Sequence, residues 1–411
     1  MTLSRRKVLA GGAGVLAVSS IRGPSMAKPA PSLHQRLICL DTHLDTPSSL
    51  AKPGWDMMHR HVRDQDFTQV DYPRMVEGGL DGGFFAIYTP QGPLTPDGMA
   101  AARDAALLRA VQIRELVAAH PRQFELALAA EDAARIAAAG KRIVYQSIEN
   151  AYPLGEDIGL LNLFHKLGVR MLGFIHFKNN QFGDSATDTP QWNGLSPKGR
   201  ALAALGNDLG MVLDASHASD AVFDQLMEIS RSPIILSHSG CRAVFDHPRN
   251  IDDDRIRKLA AAGGTLQINS YNAYLITVPP NPERDKARAA LGQKTRSLAG
   301  LTPAQQSEGM RDAARERREI EARYPEPRAT FEMYMSHVTH ALDLVGPEHV
   351  GVGCDWDGGG GVTGMEDVAA IPKITERLIK LGYDEKQLAG FWGGNALRVL
   401  KATHEARKTA A

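Results

Sequence analysis

Short apolar runs rich in β-branched and aromatic residues alternate with longer amphipathic stretches along most of the chain. The runs fall at 37–41, 83–88, 143–148, 169–175, 211–214, 234–237, 265–269 and 350–354, with 124–128 as a ninth candidate. Between them, 96–119 has helical periodicity, with Thr95 placed to cap it and Pro96 at its first position. The stretch 197–208 follows Ser196, and 221–229 follows Ser219-Asp220, two further capping arrangements. Strands alternating with helices predict a parallel sheet. Eight such units predict an α/β fold closed as a (β/α)8 TIM-like barrel rather than an open doubly wound sheet. No G-x-G-x-x-G follows the first run, which removes the main sign of a dinucleotide site. One segment breaks the rhythm. Residues 278–330 open with Val-Pro-Pro-Asn-Pro and continue as heavily charged helical sequence, predicting a helical insertion between strands seven and eight. Within it, Thr302-Pro303-Ala304-Gln305 has the form of a capping box, and Arg311 to Arg323 alternates charge as a solvated face does.

Composition adds exclusions. With 411 residues, 43% hydrophobic and 23% charged, the chain is globular and long enough for one large core, and 28–411 is expected to be a single domain. Lys+Arg and Asp+Glu both number 47, so no basic excess exists to release counterions from a phosphate backbone, and no nucleic-acid partner is expected. Cys39, Cys241 and Cys354 lie far apart, which predicts buried free thiols rather than a disulfide framework or a zinc ribbon. At the N-terminus, Ser4-Arg5-Arg6-Lys7 precedes a weakly apolar run and the small-x-small pattern Ser25-Met26-Ala27. Paired arginines there predict a twin-arginine signal over 1–27 and a periplasmic or exported protein, an ordinary secretory signal being the other reading. That run falls short of the roughly 20 apolar residues needed to span a bilayer, so no stable membrane anchor is expected.

In a barrel of this type the active site lies at the C-terminal ends of the strands. The first run leads into Asp41-Thr42-His43-Leu44-Asp45, the third into Glu149, the fourth into His176, the fifth into His217, the sixth into His238 and the eighth into Asp355-Trp356-Asp357. His43 and Asp45 are two apart, so in extended chain they share a face and reach one metal. His217 and His238 hold equivalent places on adjacent strands about 4.8 Å apart, close enough to share one ion. Imidazole and carboxylate donors suit zinc. Two pairs make two metals, with Glu149 available to bridge them. His337 and His340, on a helix before the eighth strand, are expected to face neighbours or solvent. His59, His61, His120, His165 and His404 have no ligand partner at useful spacing, and His247 and His349 are not expected to be ligands.

Seven segments, in this order, resemble the membrane (renal) dipeptidase family of zinc metallopeptidases. They are Asp41-Thr42-His43-Leu44-Asp45-Thr46-Pro47, Ser147-Ile148-Glu149-Asn150, the stretch from Gly210 to His217, Leu236-Ser237-His238-Ser239, Asp246-His247-Pro248-Arg249-Asn250, the stretch from Gly351 to Gly358, and Gly393-Gly394-Asn395-Ala396-Leu397-Arg398. Each alone is a weak signal; the order and spacing are specific. The resemblance implies a two-zinc site in which His43 and Asp45 bind one ion, His217 and His238 the second, and Glu149 bridges. It implies that His176 contacts the substrate near the scissile carbonyl, Arg249 pairs with the substrate carboxylate, and Asp355 handles protons, Asp357 only shaping its loop. The implied activity is hydrolysis of dipeptides by a metal-bridging hydroxide, in a homodimer. There are departures: Thr46 stands where the family usually has Leu, the mammalian disulfide cysteines and anchor signal are missing, and the 278–330 segment is longer than in mammalian relatives, which leaves the substrate range open. The alternative is a two-metal amidase or lactonase acting on N-acyl amino acids or related small molecules. Against it stand Glu149 and the lack of a lysine at the fourth strand end to form a carbamylated bridge. A noncatalytic binding protein would have lost a ligand or Asp355, and none is lost.

Overall fold

The computed structural model describes residues 32–62 and 66–407; the 1–27 segment read as a signal lies outside the described residues. Eight strands run in sequence order around one sheet: β1 Leu40–Leu44, β2 Gly82–Tyr88, β3 Arg142–Glu149, β4 Val169–Gly173, β5 Val212–Asp214, β6 Ile235–Cys241, β7 Thr265–Ile268 and β8 Val350–Val352. Every pairing between neighbours is parallel. Leu44 meets Trp356 in a parallel bridge, and the Asp45 N–H donates to the Trp356 carbonyl at 2.9 Å, so the chain beyond β8 returns to β1 and nearly closes the barrel. Strands such as Gly-Gly-Phe-Phe-Ala-Ile-Tyr in β2 are apolar without alternation because both faces of a parallel sheet are covered.

The eight expected strands are all present, but their ends differ. β1 starts three residues later than its apolar run and carries Asp41, Thr42 and His43 inside it. Thr42 explains how a polar residue fits there: its hydroxyl meets the carbonyls of Ser237 at 2.6 Å and Val352 at 3.1 Å, bracing the barrel wall. β6 extends past Ser237 to Cys241 and so encloses His238, whereas β4 stops at Gly173 and leaves His176 in the following loop. The ninth candidate forms Phe124–Leu126, which pairs with β3 outside the barrel order. Gly353 is where the wall is tightest, since a Cβ there would lie 1.9 Å from the Ser237 carbonyl.

The helices begin where their caps place them. In α1, Pro96–Ala119, the Thr95 hydroxyl accepts from Gly98 N at 3.2 Å. In α2, Pro197–Leu209, Ser196 caps Gly199 N at 3.1 Å, and in α3, Asp220–Ile229, Ser219 caps Val222 N. After β7 the charged segment forms two helices, α4 Pro282–Ser297 and α5 Pro303–Arg323, the latter started by the Thr302–Gln305 capping box. Then come α6 Phe331–Val345, β8 and finally α7 Asn395–Ala406. Leu40, Phe84, Tyr145, Met171, Val212 and Ile235, one from each of the first six strands, pack as a layer with Ala396, Val399 and Leu400 of α7. A larger apolar cluster includes residues of the strands and of helices α1, α2, α3 and α6. Cys39, Cys241 and Cys354 are buried free thiols. Among the described residues no helix is long and apolar enough to cross a membrane.

Candidate metal centre and active site

Six strands deliver their terminal polar residues to one place, with Glu149 at its middle. Its Oε2 lies 3.4 Å from His43 Nε2. Its Oε1 lies 3.3 Å from His217 Nε2, 3.5 Å from His176 Nε2 and 3.6 Å from His238 Nε2. His43 Nε2 is also 3.5 Å from Asp45 Oδ2. The rings of His43 and His238 stack at 3.8 Å, and the two Nε2 atoms of His217 and His238 are 2.9 Å apart. Three overlapping triplets have ligand atoms close enough to surround a cation: His43, Glu149 and His238; Glu149, His176 and His217; His43, Asp45 and Asp355. His176 and Asp355, expected to act on the substrate, thus stand in the same inner cluster as the expected ligands.

The protonation pattern suits a cation. Burial lowers His217 and His238 well below the ordinary imidazole value, with the Arg249 charge adding to it, so both rings are neutral donors. Burial also lowers His176. His43 goes the other way: burial opposes its charge, but Glu149 and Asp45 raise it well above the ordinary value. Burial works to raise the Glu149 carboxyl, yet His43, His176 and His217 hold it well below the carboxylate range. Within this cluster two buried ring nitrogens, His43 Nε2 and His217 Nδ1, have no hydrogen-bond partner. Such buried orphans are rare in folded proteins. A divalent cation bound among these imidazoles and carboxylates would displace the proton of His43 and turn its nitrogen into a ligand, so the donor set fits a metal.

A chain of hydrogen bonds aims one of these rings. The Ser237 hydroxyl lies 2.6 Å from Asp214 Oδ2, to which it donates. Its oxygen then accepts from His238 Nδ1 at 2.8 Å, which leaves the Nε2 lone pair turned toward Glu149. At β1, Asp41 Oδ1 accepts from the His43 N–H at 2.9 Å. His217, Asp355 and Asp357 have φ of 66°, 64° and 67°, the left-handed region that costs side-chain-bearing residues on the order of 1–3 kcal/mol. That strain is concentrated where the strands turn into the site.

Asp355 is buried and accepts from Asn269 Nδ2 at 3.3 Å. Burial pushes its carboxyl well up; His43 opposes, while Asp45 and Glu149 push the same way. Asp357, two residues on, faces away from the ligands. It accepts from the Thr46 hydroxyl at 2.6 Å and from the Gln69 N–H at 2.6 Å, and burial raises it to about 6. Thr46, the departure noted in the sequence, is therefore the partner that ties the loop after β1 to the loop after β8. Arg249 is buried beside the cluster. Its Nη2 donates to the His238 carbonyl at 3.0 Å, its Nη1 meets Ser239 Oγ at 3.3 Å, and its guanidinium lies 5.0 Å from the Tyr274 ring centre.

The remaining histidines are elsewhere. His337 is buried in α6, where its Nδ1 accepts from the Cys241 N–H, and His340 pairs with Asp253 at 2.8 Å. His61 pairs with Asp66, and His247 Nδ1 accepts from Arg249 N at 3.1 Å. The sequence reading passed over Tyr274, Asn269, Ser237 and Asp214. Asn269 directly follows β7, so the strand-end position that marks the histidines and carboxylates marks it too.

Known proteins resemble this chain over most of its length. The sequence model of the membrane dipeptidase family, peptidase family M19, matches residues 27–411. The probable dipeptidase PvdM from Pseudomonas aeruginosa is 30% identical in sequence and superposes with a TM-score of 0.76, over 91% of this chain and 97% of that one. Dipeptidase AC, a metallopeptidase of family M19, is 25% identical with a TM-score of 0.69, covering 89% of this chain and 99% of its own. Dipeptidase tcpJ of Claviceps purpurea is 27% identical over 342 residues, which are 82% of this chain and 69% of that protein.

Proposed function

Because this chain belongs to the membrane dipeptidase family, peptidase family M19, we propose that it is a metal-dependent dipeptidase with two zinc ions held by His43, Asp45, Glu149, His217 and His238. The observation that carries the reading is the convergence on Glu149, whose two oxygens face His43 on one side and His176, His217 and His238 on the other. That placement supports the reading of Glu149 as a bridging carboxylate. Zinc is the preferred ion because imidazole nitrogen and carboxylate oxygen are both among its usual donors. When bound, such ions supply Lewis-acid polarisation of a carbonyl and lower the pKa of water to near neutrality.

The side chains around them do the rest. Arg249 presents a guanidinium anchored by the His238 carbonyl and Ser239, and it pairs with the free carboxylate at the substrate's C-terminus. This makes the site a reader of short chain ends. His176, neutral because it is buried, donates its N–H to the oxygen that gains charge as the scissile carbonyl becomes tetrahedral. In its ionised form Asp355 takes a proton from the attacking water; burial favours the protonated form that results, and that acid then gives the proton to the leaving amine. Asn269 holds the carboxyl in place for both transfers.

We read residues 1–27 as a twin-arginine signal and residues 28–411 as a single periplasmic or exported domain acting as a homodimer. The experiment is a panel of dipeptides and N-acyl amino acids assayed with metal-stripped and zinc-restored enzyme. Zinc-dependent cleavage of dipeptides supports the reading. Faster turnover of the N-acyl amino acids would favour the amidase alternative, and zinc-loaded enzyme inert toward every dipeptide would end the proposal.

A further inference from the structure

Beside the metal cluster lies a cavity of about 1410 Å³. Its walls are the inner faces of α4 and α5, the loop after β1, and the turn Asp357–Gly360. Spacing along both helices makes the faces explicit: Arg288, Leu291 and Thr295 on α4, and Met310, Ala314 and Arg317 on α5, recur at three- and four-residue intervals. The hairpin is held over the space at its edges. Ser307 Oγ donates to the Pro53 carbonyl at 2.9 Å, Arg317 lies 3.8 Å over the Phe67 ring, and Arg284 and Arg288 both pair with Glu326. The middle is left open. A bound dipeptide does not need this volume, since pockets for drug-sized ligands are typically about 300–1,000 Å³.

Two observations say what the space would accept. Seven basic and four acidic side chains line it, so it is electropositive. Among the described residues, Arg296 and Arg311 line it without an ion-pair partner, while Arg288 and Arg317 are matched by Glu326 and Glu321. Trp55, Tyr271 and Tyr324 supply apolar wall. Position gives the rest. Gly358 is shared by cavity and site: a Cβ there would lie 2.0 Å from Asp45 Oδ2 and 2.2 Å from Asp355 Oδ1. The cavity therefore borders the Asp45 and Asp355 side of the cluster. Arg249 stands on the other side, next to His238.

We propose that this cavity is a specificity site for the N-terminal residue of the substrate, and that the preferred substrates are dipeptides whose N-terminal side chain is long and ends in an anion. The inference rests on the dipeptidase reading. With the C-terminal carboxylate on Arg249, the N-terminal residue extends toward Asp355 and Gly358, and a long side chain continues into the space beneath α4 and α5. There its anionic end meets the unpaired guanidiniums of Arg296 and Arg311, and its stem lies on the aromatic wall. The bond cleaved is the ordinary one: water adds across the peptide C–N bond, giving a free acid and a free amine.

The test compares Nε-succinyl-lysyl-alanine with Nε-acetyl-lysyl-alanine, which have similar stems and differ in the terminal charge, with alanyl-alanine as the reference. The zinc-loaded enzyme should favour the succinyl peptide by about tenfold in kcat/KM, the scale of one charge-assisted contact, mainly through KM. In the Arg296→Gln, Arg311→Gln double variant the succinyl-to-acetyl ratio should fall toward one. Raised salt should lower the ratio in the unaltered enzyme, because these guanidiniums are exposed and screened. Cleavage of alanyl-alanine with a ratio near one in the unaltered enzyme would overturn this inference and leave the dipeptidase reading standing, as would a ratio that survives the double substitution. Failure to cleave any of the three would overturn both.

Discussion

Glu149 keeps its charge in a fully enclosed setting only because imidazoles crowd both its oxygens, and this interdependence shapes what single substitutions should do. Replacing His217 by Ala removes one donor and leaves the barrel core intact. Purified His217→Ala should carry about one zinc fewer per chain by metal analysis while keeping its far-UV circular dichroism; two tightly bound ions would exclude His217 as a ligand. Asp355→Asn keeps the shape and the contact with Asn269 but cannot take a proton. Its kcat should fall by roughly 10²–10⁴ with zinc content nearly unchanged, and loss of metal along with activity would make Asp355 a ligand instead. Arg249→Lys should be impaired because an ammonium lacks the planar fork. A dipeptide amide should be cleaved much more slowly than the free acid, and equal rates would remove Arg249 from the site. At this scale the strand-end histidines and carboxylates were legible because each follows its own apolar run. Tyr274 and the Asp214–Ser237–His238 chain were not, since partners that meet across strands leave no local spacing to read.

Elements were legible in number and order, and less so in their limits. Caps fixed the helix starts well: Thr95, Ser196, Ser219 and Thr302 all cap as read. Strand ends were misplaced where polar residues lie inside the barrel wall, as Thr42 does in β1, because hydrophobicity marks only strands whose burial is satisfied by packing. α6 shows the same effect in a helix. Its His337 is buried against β6 and accepts the Cys241 N–H at 3.0 Å, and burial, with His340 adding, lowers it to about 4. The folded state thus binds fewer protons than the unfolded state between about pH 4 and the ordinary value of 6.5. Stability from this group is complete above that window and is lost as pH falls through it. His337→Gln retains an acceptor without the titration. Urea unfolding should show a shallower loss of stability from pH 6.5 to 4, by up to about 1.4 kcal/mol per pH unit; identical slopes in both proteins would exclude His337 as a contributor.

Across the whole molecule, the site draws on strands from both ends of the chain, and so a bound cation should act on global stability. Stripping zinc with a chelator should lower the Tm, and restoring zinc should raise it in a concentration-dependent way, as ligand linkage requires. A Tm indifferent to zinc would argue that the cluster binds no ion tightly. The seam between β1 and the segment after β8 has a further consequence, for the order in which the protein can come into being. His43 and Asp45 leave the ribosome early, but Asp45 is held by the Trp356 carbonyl, more than 300 residues later in the chain. Contacts of such sequence separation form late. A growing chain therefore carries these two proposed ligands long before they have a fixed geometry. Loading with metal belongs to the finished barrel, and trimming the C-terminal part of the chain would dismantle a site whose residues begin near its start.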